Sequence, residues 1–344
     1  MNIKLIKRLR HPLVWAVLAV FVLALPVLSY PMGRDQAAYA NIGRSILGGG
    51  TPYLDMWDLK PPPIYYIYAF GIQLFGTGWG AIRALDLLFV PLGMVGLYAV
   101  GKRLFSPAIG VWGAFFYGAF YFSETFSSIT QSDSLVTIPM IWAVLCAVLA
   151  VQSTPRSHSS WGFSMLTGVI CGLVLWFKQY QAFFVVALIL NHILTRKSHP
   201  RALLEDAACF AIGGIVSAGI LFVYFWQMGI FSEMLLIAEG ASGYNTRLND
   251  FASVLAQLWH YAQFRWLHWG LLLLFVGAWL PIRLIAKDST HAQGWRLVGL
   301  WLLSGLAFVV AQRLGFDTHW LPMLPALALF GAYSADALVR WINK

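Results

Sequence analysis

Arg34-Asp35-Gln36-Ala37-Ala38-Tyr39, then Gly48-Gly49-Gly50, then Tyr53-Leu54-Asp55-Met56-Trp57-Asp58-Leu59-Lys60-Pro61-Pro62-Pro63: this stretch sets Asp35, Asp55 and Asp58 beside Arg34 and Lys60, in a chain with only 11% charged residues. It follows an apolar run, Leu13 to Leu28, directly. Charges kept at a membrane surface cost desolvation energy and usually mark a site. The stretch reads as an acidic, aromatic loop between two membrane spans, and the rest of the chain must say what it serves.

The 344 residues are 59% hydrophobic and include 16 Trp, 14 Tyr and 24 Phe, with a mean hydropathy of +0.70. A soluble core does not need that much apolar surface, whereas membrane helices of about 20 apolar residues each do. The fold class is therefore all-α: a polytopic transmembrane helical bundle of about ten spans, expected near 11–30, 80–101, 108–122, 134–151, 161–177, 181–194, 208–228, 265–282, 297–312 and 320–338. With both termini cytoplasmic, 15 of the 23 Lys and Arg fall inside, as the positive-inside rule asks. Topology thus explains the net charge of +9 and excludes nucleic acid as a partner inferred from basicity. Ten of the 14 carboxylates then lie on the outer side, so chemistry is expected on the periplasmic face of an inner membrane.

The basic start (Lys4, Lys7, Arg8, Arg10) resembles a secretory signal, but no small-x-small cleavage site follows, and an uncleaved first span is expected. Cys146, Cys171 and Cys209 all fall in apolar spans and read as small packing residues rather than a disulfide or metal framework. The turns 101–107, 152–160, 195–206 and 283–296 look like solvated linkers. Residues 1–344 read as one membrane-embedded domain with no soluble domain at either end and no internal repeat, which weighs against a duplicated transporter.

Two outer segments are long. In 31–79, Asp35 begins one surface helix that Gly48-Gly49-Gly50 ends, and Pro63 begins another with an aromatic face of Tyr65 and Tyr68. In 229–263, Glu233, Glu239, Tyr244, Arg247, Asn249 and Asp250 with Gly240 and Gly243 suggest a connecting loop that could also cover a site.

Within this frame Asp35 is either a helix N-cap or a carboxylate at the floor of an outward cavity. Asp133, in Thr130-Gln131-Ser132-Asp133, has the same two readings. The prolines hold Asp55, Asp58 and Lys60 on an extended ribbon, with Lys60 suited to a phosphate oxygen. Lys178 goes against the positive-inside bias, as an anion ligand or a surface lysine. Arg313 with Asp317 and His319 adds a cation beside a carboxylate and an imidazole. Arg83 and Asp86, three apart, are expected to form a helix-face ion pair. No cofactor is required. A divalent metal on Asp58, Asp133 and His319 stays open, because no ligand spacing is diagnostic.

The arrangement resembles the GT-C fold membrane glycosyltransferases of the family 39 type, which include protein O-mannosyltransferases and lipid A aminoarabinose transferases. The likeness rests on Arg34-Asp35-Gln36-x-x-Tyr39, Gly50-x-Pro52-Tyr53-x-Asp55-x-Trp57-Asp58-x-Lys60-Pro61-Pro62, Gln131-Ser132-Asp133, Lys178-Gln179 and His319-Trp320-Leu321-Pro322-x-Leu324-Pro325. The first-loop motif is the specific one. The resemblance implies an inverting transfer of a hexose or pentose from a polyprenyl-phosphate sugar donor to a hydroxyl on a lipid or envelope glycan. It assigns Asp35 as the catalytic carboxylate and Asp133 as a second acidic site residue, with Lys60 and Lys178 near the donor phosphate; Arg313 is a further candidate for that phosphate. Tyr39, Tyr53, Asp55, Trp57, Asp58 and His319 would then contact substrate. The departures are Leu59 and Trp320, where relatives often carry His and Tyr, and a chain short for the group. The rival is a transporter or flippase for a lipid-linked or anionic substrate, which would need polar groups at mid-membrane; these spans carry few.

Overall fold

The computed structural model describes residues 11–245, 250–286 and 290–344. The described residues are helical apart from turns. α1 (Pro12–Ala24) runs into a 3-10 turn, Leu25–Ser29. The surface helices α2 (Arg34–Leu47) and α3 (Pro63–Phe75) follow. Then come α4 (Trp79–Leu104), α5 (Pro107–Phe122), the single turn α6 (Ser132–Leu135), α7 (Thr137–Gln152), α8 (His158–Phe177) and α9 (Ala182–Arg196). α10 (Pro200–Gln227), α11 (Phe231–Asn245), α12 (Phe251–Ala286), α13 (Ala292–Ala311) and α14 (Leu324–Ile342) complete the chain.

Among the described residues, eight segments are long and apolar enough to cross a membrane. The other two expected spans coincide with α5 and α9, helices of 16 and 15 residues. Their shortness leaves them able to cross only a thinned stretch of hydrocarbon at about 1.5 Å per residue. α14 and the 3-10 turn Asp317–Met323 before it form the axis of the bundle, whereas α10 and α12 show most of their surface outward. Ile215, Ile220, Leu267 and Leu271 are exposed there, as lipid-facing positions should be. α8 and α10 approach most closely through glycine: a Cβ on Gly168 or Gly213 would collide with a carbonyl oxygen of the other helix. Without a hydrophobic drive between helices in lipid, such backbone contact supplies the packing.

The first outer segment follows its expected course. α2 begins after Gly33 and ends at Gly48, and Pro62-Pro63 opens α3. The two helices cross at Gly43, where a Cβ would come within 2.9 Å of the Ala69 nitrogen. The second outer segment departs from expectation. α11 and the start of α12 make 231–245 and 251–263 helical, while Arg247 and Asn249 and the Tyr244 side chain lie outside the described residues. α12 has 36 residues, roughly 54 Å at 1.5 Å each, so the helix extends well beyond the apolar run that announced it.

Two further expectations change. Arg83 and Asp86 do not touch; the Thr130 hydroxyl stands between them, receiving from Arg83 Nη1 and donating to Asp86. The turn 195–206 is not wholly solvated either. Asp206 is buried against Arg196, His192 and Ser160, because one carboxylate there satisfies groups from neighbouring helices.

Candidate active site

A cavity of about 700 Å³ opens where α2, the ribbon 57–61, the loop 127–132, the turn after α8 and the turn before α14 converge. Asp35, Trp57, Asp58, Lys60, Lys178, Asp317 and His319 line it. One space thus gathers side chains up to 284 positions apart in sequence (319 − 35).

Asp35 is not the N-cap of α2. Gly33 holds that position, and Asp35 sits in the first turn, where the helix dipole favours a carboxylate. Its side chain is partly exposed, and its one ion pair is a 3.5 Å contact with the exposed Arg34, a contact of little energetic weight in water. A carboxylate so placed is accessible and uncommitted to the protein's own packing.

Asp133 is not an N-cap either. Gln131 caps α6 in a reciprocal capping box with Ser134, which leaves the Asp133 carboxylate free to point elsewhere. Lys178 Nζ donates to both its oxygens, at 2.7 and 2.8 Å, and lies 5.1 Å from the Phe308 ring centre. Burial pushes the Lys178 ammonium down to about 8; Asp133 opposes that fall and the nearby Lys60 charge adds to it. Lys178 is therefore neither a plain surface lysine nor an unpaired anion ligand, because Asp133 already supplies its counter-charge.

Asp58 is half-buried and accepts from the Tyr65 hydroxyl at 3.2 Å. Burial lifts its carboxyl above the usual range, against the Leu59 backbone N–H and Lys60, while the Asp35 charge lifts it further. Lys60 is held by its backbone rather than its ammonium: both Tyr53 and Tyr65 donate to the Lys60 carbonyl, at 2.6 and 2.8 Å. The ribbon is thereby fixed from beneath, and the Lys60 side chain remains available to the cavity.

Several expected substrate contacts are instead supports. Tyr39 is buried, packs on Tyr65 and Tyr68, and donates to Gln131 Oε1. Tyr53 is buried beneath Lys60, and Asp55 closes its own turn by accepting from the Thr51 N–H at 2.6 Å. Arg313 does not line the cavity; it has a left-handed backbone at φ 57° on the turn after α13. Asp58, Asp133 and His319 form no ligand set: among the described residues no group of three His, Cys, Asp or Glu is placed to hold a metal ion. Asp133 is occupied by Lys178 in any case.

Sequence reasoning passed over the neutral wall. Gln36, Ser127 and Gln312 line the cavity, and Ser128 donates to Asp317. Gln36 carried one usable signal, its place in the first turn beside Asp35. Ser127 and Gln312 carried none, since uncharged polar residues in loops are common. The rim also holds a buried ion pair, Glu124 with Arg265, that ties the loop after α5 to α12. Burial lifts the Glu124 carboxyl and Arg265 opposes it.

A second cavity of about 820 Å³ is built from neighbouring stretches of the chain. Its walls come from the next residues of the same segments: Pro63 after Pro61, Leu135 after Ser132, Phe177 before Lys178. Trp142, Ile170, Leu221 and Phe225 complete an almost wholly apolar lining.

Comparison with known proteins agrees with this geometry. A family model described as dolichyl-phosphate-mannose-protein mannosyltransferase matches residues 59–226. An undecaprenyl phosphate-alpha-4-amino-4-deoxy-L-arabinose arabinosyl transferase from Edwardsiella ictaluri is 25% identical over 92% of this chain and 58% of its own length. The protein of that name from Pseudomonas savastanoi pv. phaseolicola is 24% identical over 90% of this chain and 57% of its own. The chain therefore spans just over half the length of these curated relatives. Among solved structures, ArnT from Cupriavidus metallidurans bound to undecaprenyl phosphate superposes with a TM-score of 0.66 at 15% identity, covering 94% of this chain and 59% of that one. The Archaeoglobus fulgidus oligosaccharyltransferase tethered to an acceptor peptide gives 0.64 at 10% identity, covering 97% and 50%. The chain shares its fold with these solved structures and is similar in sequence to the two arabinosyl transferases.

Proposed function

We propose that the protein transfers a pentose or hexose from a polyprenyl-phosphate donor to a hydroxyl of a lipid or envelope glycan, at the periplasmic face of the inner membrane. The observation that carries this reading is a polar chamber holding Asp35 and Lys60 and an apolar groove walled by the neighbouring residues of the same segments, a pairing that suits a ligand with a sugar phosphate at one end and a long hydrocarbon at the other. The relatives' names supply the donor chemistry and favour a pentose.

The step is a single displacement. The acceptor oxygen bonds to the anomeric carbon, the bond from that carbon to the phosphate oxygen breaks, and the configuration inverts. A neutral hydroxyl is a poor nucleophile, so Asp35 takes its proton as the bond forms. The departing lipid phosphate gains negative charge, which Lys60 stabilises at short range in a partly dry chamber. Lys178 contributes through the charge it shares with Asp133. Asp58, whose carboxyl burial lifts, is suited to hydrogen-bond sugar hydroxyls beside Trp57.

A transporter reading has less support, since Asp35, Lys60 and Lys178 gather in the chamber at one end, while the ionisable residues lining the cavity near the other end, His192 and Asp206, pair with each other. The reading is tested by sugar transfer with the full chain in membranes supplied with radiolabelled polyprenyl-phosphate pentoses and hexoses, with and without a chelator. Transfer that Asp35→Asn abolishes while donor binding persists supports the enzyme and its base. Donor binding without transfer to any lipid or glycan acceptor overturns it. Loss of transfer on chelation brings the divalent cation back.

A further inference from the structure

We propose that Thr130 is a positioning residue: clamped by Arg83, Asp86 and Tyr68, it sets the turn carrying Asp133 in register with the helix start carrying Asp35. The inference rests on the reading of the cavity as the transfer site and adds a residue that lines none of it.

Thr130 is buried and its backbone is left-handed, φ 54°, a region that β-branched residues seldom occupy. Strain of this kind persists only where the surroundings over-determine it. Here they do. The Thr130 hydroxyl receives from Arg83 Nη1 at 2.9 Å and donates to Asp86, while its carbonyl receives from the Tyr68 hydroxyl at 2.7 Å. Tyr121 donates to the other Asp86 oxygen at 2.6 Å. Helices α3 and α4 thus grip one residue directly, and α5 supports the grip through Asp86.

The grip reaches both halves of the site. On one side Thr130 leads into Gln131, the cap of α6, and the Ser132 hydroxyl donates to the Phe177 carbonyl at 3.1 Å, beside Lys178. On the other side Arg83 Nη2 holds the Pro31 and Phe126 carbonyls, and Gln36 Nε2 donates to the carbonyls of Phe126, Ser127 and Ile129. The backbone that bears Asp35 and the loop that leads to Asp133 are therefore fastened to the same buried guanidinium. A direct Arg83–Asp86 pair would serve packing alone. The inserted hydroxyl makes the position of the loop depend on that pair.

The test compares Thr130→Val, which keeps the shape and removes the hydroxyl, with Thr130→Ser, which keeps the hydroxyl. Misplacement of reacting groups by about 1 Å costs on the order of 100-fold in rate. Thr130→Val is expected to lose roughly 30- to 100-fold in kcat with donor KM within about threefold, and Thr130→Ser to restore most of it. The second readout needs no turnover: the labelling rate of Lys178 by an amine-reactive reagent, located by mass spectrometry. It is expected to rise several-fold in Thr130→Val as Lys178 loses its hold on Asp133, and to stay at the wild-type value in Thr130→Ser. Should Thr130→Val fail to fold, Tyr68→Phe, which removes only the carbonyl's partner, gives a smaller change in the same direction. Wild-type kcat together with wild-type labelling in Thr130→Val overturns the proposal, as does equal loss in Val and Ser. A wild-type protein that transfers no sugar, yet shows the labelling contrast, sinks the transfer reading and leaves the clamp standing.

Discussion

The two ends of this bundle each bury charge, and they do so in opposite ways. At one end, Asp206 meets Arg196 at 3.5 Å and His192 at 3.2 Å and accepts from Ser160 at 2.8 Å, while Arg196 also donates to the Ala150 and Ser153 carbonyls. The neighbouring cavity of about 510 Å³ is lined mainly by apolar residues, with Asp206 and His192 at its wall. The buried charges in that cluster answer one another, and the cluster ties α7, α8, α9 and α10 together. At the other end, Asp35 and Lys60 face open space, beside the closed pairs Lys178–Asp133 and Glu124–Arg265. Buried charges that satisfy one another hold helices; charges left facing a chamber are available to a ligand.

The comparison can be broken by substitution. The largest effect belongs to Asp35→Asn, expected to lower transfer about 10²- to 10⁴-fold, the range for a general base, with donor binding and the thermal midpoint unchanged. Equal transfer by mutant and wild type would remove Asp35 from the chemistry. Asp206→Ala should do the reverse. Leaving Arg196 buried without its carboxylate costs about 3–5 kcal/mol of stability, while kcat per folded molecule stays at the wild-type value. A drop in kcat at constant folded fraction would join the two ends functionally.

Lys60→Gln should weaken donor binding roughly 10- to 100-fold, the worth of a charge-assisted hydrogen bond of about 1.5–3 kcal/mol. Titration calorimetry with the polyprenyl phosphate alone reads it. The pH response sharpens the contrast further. Burial has pushed Lys178 down to about 8, so above that pH the folded protein loses the proton while the unfolded chain keeps it. Activity should fall as pH rises through 8, and stability should rise over the same window because the unfolded state binds the extra proton. Lys178→Arg, which stays charged, removes the alkaline fall; a fall that persists in this variant belongs to another group. The smallest effect is expected from Arg313→Ala, less than about threefold in donor affinity, since Arg313 stands outside the chamber. A loss as large as that of Lys60→Gln would return it to the phosphate site.

The two ends also differ in how legible they were. Polarity clustered in Arg34–Lys60 was enough to place the outer chamber, because charge in an apolar chain has few neutral explanations and the prolines and glycines around it bound the two short helices. Asp206 looked like any acidic residue in a basic turn, and nothing local foretold its burial. Tyr39 and Tyr53 belong to the expected segment but support it from beneath instead of meeting substrate. An aromatic near a charged loop has the same appearance in sequence whether it faces a ligand or props a backbone carbonyl. Arg83 and Asp86 had the spacing of an ion pair, and only Thr130, 44 positions beyond Asp86, explained why they do not touch.

By itself the sequence determined the helical membrane bundle and the loop that carries Asp35 and Lys60. Hydropathy, proline and net charge act locally and leave their mark in consecutive residues. Tertiary structure alone decided that Lys178 closes on Asp133, that Thr130 separates Arg83 from Asp86, and that one set of segments lines both a polar chamber and an apolar groove. Those relations join helices distant in the chain, and their energies depend on burial and distance, which no run of neighbouring residues encodes.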